Sequence, residues 1–258
     1  MKSSKISIVI PTYNKVKYIK ETLDSILKQK YSNLEVIIQD GWSTDGTFEI
    51  LKKYANKHPK IFNLESKKDK GQLDAINKGM KKATGEILTF INADDVYLDG
   101  ALHLIAEAFS KNPGAMWFAG KGKVVDESGR EIAKFVTAYK NFLLFLDSRF
   151  WLLVTNYLMQ PSIFLSRQGW AQYKPFTGTE DFVTEYDMWL KLSDIEMPIL
   201  INKNLSKFRI ESFTKTKQMS AKLLKEDEKI VRKYTKNRAI LGFHKFHNLG
   251  RFLVGKLV

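Results

Sequence analysis

Short apolar runs alternate with amphipathic segments over roughly the first 110 residues of the chain. Buried strands are predicted for the apolar runs 6–10, 34–39, 61–64 and 86–91. Helices are predicted for the segments with helical spacing of apolar residues, 16–27, 48–58, 73–83 and 101–109. This alternation is typical of an α/β fold, because a right-handed crossover places each helix over a largely parallel sheet.

The pattern changes after about residue 115. Two segments, 116–125 and 131–136, flank the turn-forming residues 126–129 and predict a β-hairpin. A helix is predicted over 185–194, and the segment from 215 onward is basic with helical periodicity. With no internal repeat or low-complexity linker in view, we interpret the chain as one domain over 1–215 followed by a basic helical tail over 216–258.

Composition narrows the classes of protein that remain. The chain has 258 residues, of which 44% are hydrophobic, enough for one sizeable core. A formal charge of +14 predicts an anionic partner such as a phosphate, a nucleic acid or an anionic membrane. The absence of cysteine excludes disulfides and thiolate metal sites. No signal peptide and no spanning helix are recognised, so we expect a cytoplasmic protein that can rest on a membrane surface.

Polar residues follow three of the predicted strands. The first strand leads into residues 11–14, the second into Asp40, and the fourth into Asp94 and Asp95. Ligands of α/β sheets bind beyond the carboxyl ends of the strands, so these residues are expected to face one crevice. Paired acids there predict a divalent cation held by oxygen ligands beside a phosphate. The alternative is that these acids cap helices and turns.

Several motifs then make the pattern specific. In chain order they are IVIPTYN at 8–14, QDGWSTDGT at 39–47, DKGQLDAINKG at 69–79, ATGE at 83–86 and NADD at 92–95. This series resembles the family-two glycosyltransferases of the GT-A fold, particularly bacterial enzymes of capsule, colanic-acid and O-antigen assembly. The resemblance covers roughly residues 5–215. It implies a Rossmann-like, mostly parallel sheet with helices on both faces, a nucleotide-sugar-binding half over 1–112 and an acceptor half over 113–215.

The resemblance also implies the donor-binding residues. Asp40 would recognise the base, while Pro11, Thr12 and Tyr13 would lie against the nucleoside. Gly71 would let the backbone approach the donor closely, its alternative being an ordinary glycine at a helix start.

The same resemblance places the metal in the segment Asn92-Ala93-Asp94-Asp95. Asp94, with Asp95 beside it, would hold Mg²⁺ or Mn²⁺ against the diphosphate of a donor that is expected to be a UDP-sugar. Asn92 stands where the family has the first acid of its Asp-x-Asp motif, which removes one ligand but leaves an amide able to bond a ribose hydroxyl. Arg209 would pair with the diphosphate through its planar fork, and its alternative is a solvated surface arginine.

The resemblance implies a transfer that inverts the anomeric carbon, and such a transfer needs a base for the acceptor hydroxyl. The acid-rich segment before Trp189 resembles the family's catalytic turn, and its spacing assigns the base to Glu185, with Asp187 second. A further acid pair stands at Glu180 and Asp181. The alternative is that these acids cap the helix that follows.

Membrane contact is suggested by two apolar stretches. Residues 142–146 and 150–154 carry large apolar side chains, and the tail interleaves apolar with basic residues. Such a tail suits an anionic membrane surface, expected here at the inner face of the cell membrane. The family resemblance implies a saccharide or lipid-linked acceptor. The alternative is that the tail helix packs onto the domain and that the apolar run before it is core.

Two other classes remain as alternatives, namely a nucleic-acid-binding protein and a nucleotidyltransferase of similar fold. The basic charge is dispersed without a recognised binding motif, so no nucleic-acid partner is expected. Residues 11–14 also stand where a nucleotidyltransferase would carry a glycine-rich, basic loop.

Overall fold

The computed structural model describes residues 3–178, 185–211 and 220–257. A single eight-stranded sheet with the spatial order β3-β2-β1-β4-β7-β6-β8-β5 forms its centre. The strands are β1 Ile6–Thr12, β2 Leu34–Asp40, β3 Phe62–Ser66, β4 Ile87–Phe90, β5 Val96–Tyr97, β6 Trp117–Val125, β7 Ile163–Ser166 and β8 Ile199–Arg209.

Helices cover both faces of this sheet. They are α1 Ile19–Lys28, α2 Thr47–Lys57, α3 Gln72–Lys82, α4 Ala101–Lys111, α5 Lys134–Phe145, α6 Arg149–Val154, α7 Arg167–Tyr173, α8 Glu185–Ser193, α9 Ser220–Tyr234 and α10 Arg238–Leu257. In α1, for example, Ile19, Leu23 and Ile26 recur at helical spacing and are fully buried. The helix therefore forms because this spacing puts its apolar stripe on one side, against the sheet.

The first half of the chain confirms the predicted α/β alternation. Strands β3, β2, β1 and β4 are parallel neighbours. Helices α1, α2 and α3 connect them and α4 follows β5, each within a few residues of its predicted bounds. The registers pair Thr12 of β1 with Asp40 of β2. The strands thus end side by side, which brings their polar ends to one edge of the sheet.

The predicted hairpin after residue 115 is wrong in its second strand. β6 forms as expected, but α5 begins at Lys134, and only an isolated bridge joins Val125 to Glu131. The sheet explains the difference: β6 pairs with β7 on one side and with β8 on the other. Beyond Ala119, side chains bind β6 instead of β7: Ser162 Oγ donates to the Lys121 carbonyl and Asn141 Nδ2 to the Gly122 carbonyl, and the chain turns into α5.

The predicted tail packs onto the domain. Ile230 and Val231 of α9 are buried in the same hydrophobic cluster as sheet residues Val9 and Trp117. Between helices α9 and α10, Arg251 pairs with Asp227 at 2.7 Å. The boundary predicted at residue 215 lies outside the described residues. Among the helices of the described part of the chain, none is long and apolar enough to cross a bilayer.

Candidate active site

A cavity of about 610 Å³ opens beyond the carboxyl ends of β1 and β4. Its walls contain all but one of the residues that the sequence assigned to donor binding, namely Pro11, Thr12, Tyr13, Gly71, Asn92, Ala93, Asp94 and Arg209. Thr12 is buried while Tyr13 is 61% exposed at the rim. The structure thus brings together residues that lie almost 200 positions apart in the chain.

Asp40 lines a smaller adjoining cavity of about 240 Å³. Asp69 and Ala75 line both cavities, so the two are neighbouring parts of one crevice. The buried Asp40 carboxylate accepts hydrogen bonds from the hydroxyls of Ser43 and Ser66, each at 2.5 Å. These bonds fix the carboxylate at the end of the crevice.

Asp94 faces the larger cavity together with two charged residues that the sequence analysis did not single out. The Lys15 ammonium donates to Asp94 Oδ2 at 2.7 Å and also to the carboxylate of Glu211. Burial alone would lower the pKa of Lys15, but Asp94 and Glu211 outweigh it and raise that pKa. A positive charge is therefore held between two carboxylates.

This arrangement allows a test of whether the expected metal fits. Carboxylate oxygens are the ligands that Mg²⁺ and Mn²⁺ prefer, and those of Asp94 and Glu211 already surround one cation, the Lys15 ammonium. Within the described residues, no group of three or more His, Cys, Asp or Glu side chains forms a ready metal site. A divalent cation at Asp94 would share this place with the Lys15 ammonium and would take most of its ligands from a bound diphosphate.

Asp95 occupies a different environment from its neighbour. It is fully buried, and its carboxylate accepts the backbone N–H of Arg209 at 2.9 Å and the amide of Asn92 at 3.2 Å. Burial, followed by the adjacent Asp94 charge, raises the pKa of Asp95 well above its usual range. Asp95 is not among the residues that line the cavity, whereas the sequence-based expectation placed both acids beside the metal. Its bonds instead fix the loop that carries Asp94.

Asn92, the departure from the family motif, is also held by protein groups. Its side-chain oxygen accepts from Gln72 at 2.7 Å, while its amide donates to Asp95. Gln72 begins α3 and lines the cavity as well. The amide thus joins the start of α3 to the Asp94 loop, and an asparagine serves here because it can both donate and accept.

Arg209 differs most from its sequence-based role. Its side chain is 1% exposed, and its guanidinium donates to the carbonyls of Asp94, Asp126 and Glu127 and to the Glu21 carboxylate. These bonds engage four of the five guanidinium N–H donors with protein acceptors, whereas the sequence-based expectation was a fork that binds the diphosphate. Arg209 joins the end of β8 to the loop that carries Asp94.

Replacing Arg209 by lysine is expected to lower the free energy of unfolding by roughly 2–4 kcal/mol, because one ammonium cannot reach this set of acceptors. Urea titration measures the loss. Glu21→Gln is the matched control: Glu21 is half exposed, so losing its charge should cost less than about 1 kcal/mol. Equal losses in the two variants would contradict the conclusion that the Arg209 side chain joins β8 to the Asp94 loop.

Gly71 stands immediately before α3 in a conformation that side chains avoid. Its φ is 101° and its ψ is −178°, a region open essentially to glycine alone. Its N–H donates to the Asp69 carboxylate at 2.8 Å. The glycine therefore sets the direction of the chain along the cavity wall.

Gly71→Ala is expected to destabilise the fold by about 1–3 kcal/mol through backbone strain and to weaken binding in the cavity. Thermal unfolding and ligand titration measure the two effects. At the control Gly114→Ala an added Cβ meets nothing within 4 Å, so little change is expected there. A Gly71→Ala variant as stable as wild type would contradict the expected backbone strain at this position.

The two candidate bases lie on one helix, α8, and neither is among the residues that line the two cavities. Burial is the main cause that raises the pKa of Glu185 to about 7. Asp187 is bound by Tyr173 at 2.8 Å, Tyr234 at 3.1 Å and Lys233 at 3.2 Å. Despite burial, these bonds lower the pKa of Asp187. The second acid pair, Glu180 and Asp181, lies outside the described residues.

Several lining residues were missed by sequence reasoning. They are Lys15, Gly41, Lys68, Asp69, Gln72, Ala75, Phe208 and Glu211. Gly41, Asp69, Gln72 and Ala75 lie inside the motifs at 39–47 and 69–79, and Lys15 and Lys68 stand directly beside a motif, so the motifs were the available signal. Phe208 and Glu211 lie within two residues of Arg209, and Glu211 reaches Lys15 from a position 196 residues away.

Comparison with known proteins agrees with this geometry. Residues 7–168 match the model of glycosyl transferase family 2, and since this is more than half of the chain, the chain belongs to that family. It is 28% identical over 198 residues to chondroitin synthase of Escherichia coli, covering 77% of this chain and 28% of that enzyme. The chain spans about half the length, or less, of such curated relatives.

Solved structures define the fold class. A crystal structure of Staphylococcus aureus TarS in complex with UDP-GlcNAc is similar with a TM-score of 0.66 and 20% identity, over 89% of this chain and 71% of that one. The mannosyltransferase PcManGT of Pyrobaculum calidifontis, in complex with GDP-Man and Mn²⁺, gives 0.73 and 19%, over 94% and 69%. The predicted GT-A fold with C-terminal helices is thereby confirmed.

Proposed function

We propose that the protein is a metal-dependent, inverting glycosyltransferase that uses a nucleotide-sugar donor. The observation that carries this is the crevice beyond β1 and β4, where Asp94, Lys15 and Glu211 meet beside the residues assigned to the nucleoside. Membership of glycosyl transferase family 2 supports the same activity.

We propose one orientation of the donor in the crevice. The nucleoside base would enter the smaller cavity by Asp40, and the diphosphate would lie in the larger one beside Asp94 and Lys15. A UDP-sugar is proposed in particular. A divalent cation on Asp94 would neutralise the charge that develops on the departing diphosphate. Lys15 adds a fixed positive charge at the same place.

Transfer would proceed by a single displacement. The acceptor hydroxyl oxygen attacks the anomeric carbon, the bond from that carbon to the diphosphate oxygen breaks, and the configuration inverts. Glu185 takes the hydroxyl proton as general base. Its raised pKa suits this step near neutral pH, whereas the Asp187 carboxylate is already bound by tyrosine and lysine side chains.

The proposed setting is bacterial surface polysaccharide synthesis in the cytoplasm at the inner face of the cell membrane, with a saccharide or lipid-linked acceptor. The names of relatives, including chondroitin synthase and a putative teichuronic acid biosynthesis glycosyltransferase of Bacillus subtilis, support this class of product.

A panel of nucleotide-sugars tests the proposal by thermal stabilisation, with Mn²⁺ present and absent. We expect one donor class to raise the unfolding temperature, and to do so more strongly with the metal. Salt-sensitive binding of generic DNA without stabilisation by any nucleotide-sugar would refute the proposal and favour a nucleic-acid-binding protein.

A further inference from the structure

The outer side of helix α5 is almost entirely apolar and open to solvent. Phe135 is 93% exposed, Phe145 68% and Phe142 57%, and Val136, Tyr139 and Leu146 are exposed beside them. Lys134, at the first position of the helix, is the basic residue of this side. Contiguous exposure of large aromatic side chains on this scale marks an interaction surface.

Helices α6 and α10 extend this surface. The Phe150 and Phe243 rings lie 6.2 Å apart, and the Tyr139 ring stacks on His247 at 5.7 Å. Phe246, 78% exposed, and Leu249 continue it along α10. We refer to this set as the aromatic face, and it consists of Phe135, Tyr139, Phe142, Phe145, Phe150, Phe243, Phe246 and Leu249.

The inner side of α10 holds the aromatic face in place. The buried His244 ring contacts the carbonyls of Leu153 and Val154, at 3.2 and 2.9 Å, where α6 ends. Asn248, one turn on, bonds the other ring nitrogen at 2.9 Å. The exposed aromatic side chains therefore stand on a helix that is fixed to the domain by buried polar contacts.

Basic residues accompany the aromatic face. Residues 216–258 carry eleven Lys or Arg and three Asp or Glu, so this segment supplies a surplus of eight positive charges out of the chain's +14. Arg238 and Lys245 are exposed on α10, the helix that carries Phe243 and Phe246, and Lys245 also pairs with Glu228 of α9 at 3.6 Å. Asp147 is the acidic group between α5 and α6, and burial raises its pKa. Apolar rings flanked by cations match an anionic bilayer surface.

We propose that the aromatic face docks on an anionic phospholipid bilayer and so brings the acceptor side of the crevice to the membrane. The link to the site is α5, whose Phe142 and Phe145 are exposed while its inner residues bind the sheet side: Asn141 donates to the Gly122 carbonyl of β6, and Lys140 to the Leu158 carbonyl. This position suits an acceptor carried on a lipid, and that step rests on the proposed function.

Flotation of the full chain with lipid vesicles tests the docking. Vesicles of phosphatidylcholine with phosphatidylglycerol should bind wild type, and vesicles of phosphatidylcholine alone should bind it much more weakly. The double variant Phe142→Ser/Phe246→Ser should lose at least about tenfold in binding. The matched variant Phe142→Leu/Phe246→Leu keeps apolar side chains at both positions and should retain most of it.

Charge is tested separately. Arg238→Gln/Lys245→Gln should weaken binding to anionic vesicles, whereas Lys53→Gln, an exposed lysine on α2, should not. Equal binding to neutral vesicles, or full binding by the serine variant, would overturn the proposal. So would a dimer that the serine substitutions dissociate without any vesicle binding, because the face would then join two copies. A chain that floats with anionic vesicles but binds no nucleotide-sugar refutes the proposed function and leaves the docking face supported.

Discussion

Asp94→Ala is expected to reduce glycosyl transfer by at least about a thousandfold and to remove the metal-dependent part of donor binding. Asp94 is the acid of the 92–95 segment that faces the cavity, and it holds Lys15 there at 2.7 Å. Without this carboxylate, neither a cation nor the ammonium is positioned against the diphosphate. Transfer rates and Mn²⁺-dependent titration of the donor measure the two losses.

Asp99→Ala provides the control for Asp94→Ala. Asp99 is 73% exposed and pairs with Lys28 at 3.1 Å, on the surface, so its removal should leave transfer unchanged. Comparable turnover in the Asp94→Ala and wild-type proteins would contradict the assignment of Asp94.

Glu185→Gln is expected to lower the transfer rate by about a hundredfold to ten-thousandfold while leaving donor affinity intact. The amide has nearly the shape of the carboxylate but cannot accept the acceptor proton. Steady-state rates and donor titration separate the two effects. Asp187→Asn is the matched comparison, and it should act mainly on stability, because Tyr173, Lys233 and Tyr234 lose an ionised partner.

The pH dependence gives a second measure of Glu185. A base works when ionised, and the pKa of Glu185 is raised to about 7. The transfer rate at low substrate should therefore rise about tenfold per pH unit below that value and level off above it. A profile with no break near pH 7, or a normal rate for Glu185→Gln, would move the base to Asp187 or Asp181.

The carboxyl ends of the first strands could be predicted because a parallel sheet fixes their relation. Once 6–10, 34–39 and 86–91 are read as neighbouring parallel strands, the residues that follow them must share one edge. Thr12, Asp40 and Asp94 accordingly line the two adjoining cavities. Gly71 fits the same logic, because it precedes the helix that packs along this edge.

The second half of the chain was harder to predict, because its pairings join distant segments. The hairpin expected at 116–136 stops at the bridge from Val125 to Glu131, because Ser162 and Asn141 side chains bind the neighbouring carbonyls of β6. The other edge of β6 pairs with β8, which begins more than 70 residues later. The sequence also predicted that the Arg209 guanidinium would bind the diphosphate. Only the packing of β8 against the Asp94 loop engages its donors.

The sequence by itself determined the class of this protein, namely the α/β alternation, the family motifs and the crevice they form, because these depend on local periodicity and on order along the chain. The tertiary structure decided what each acid does. Asp94 and Asp95 are adjacent and chemically identical, yet one faces the cavity and the other is buried against the Arg209 backbone. Glu185 and Asp187 lie two positions apart, yet burial raises the pKa of the first while hydrogen bonds and Lys233 lower the pKa of the second. The physical reason is that burial and hydrogen-bond partners set the role of a carboxylate, and these come from α5, β8 and α9, far along the chain.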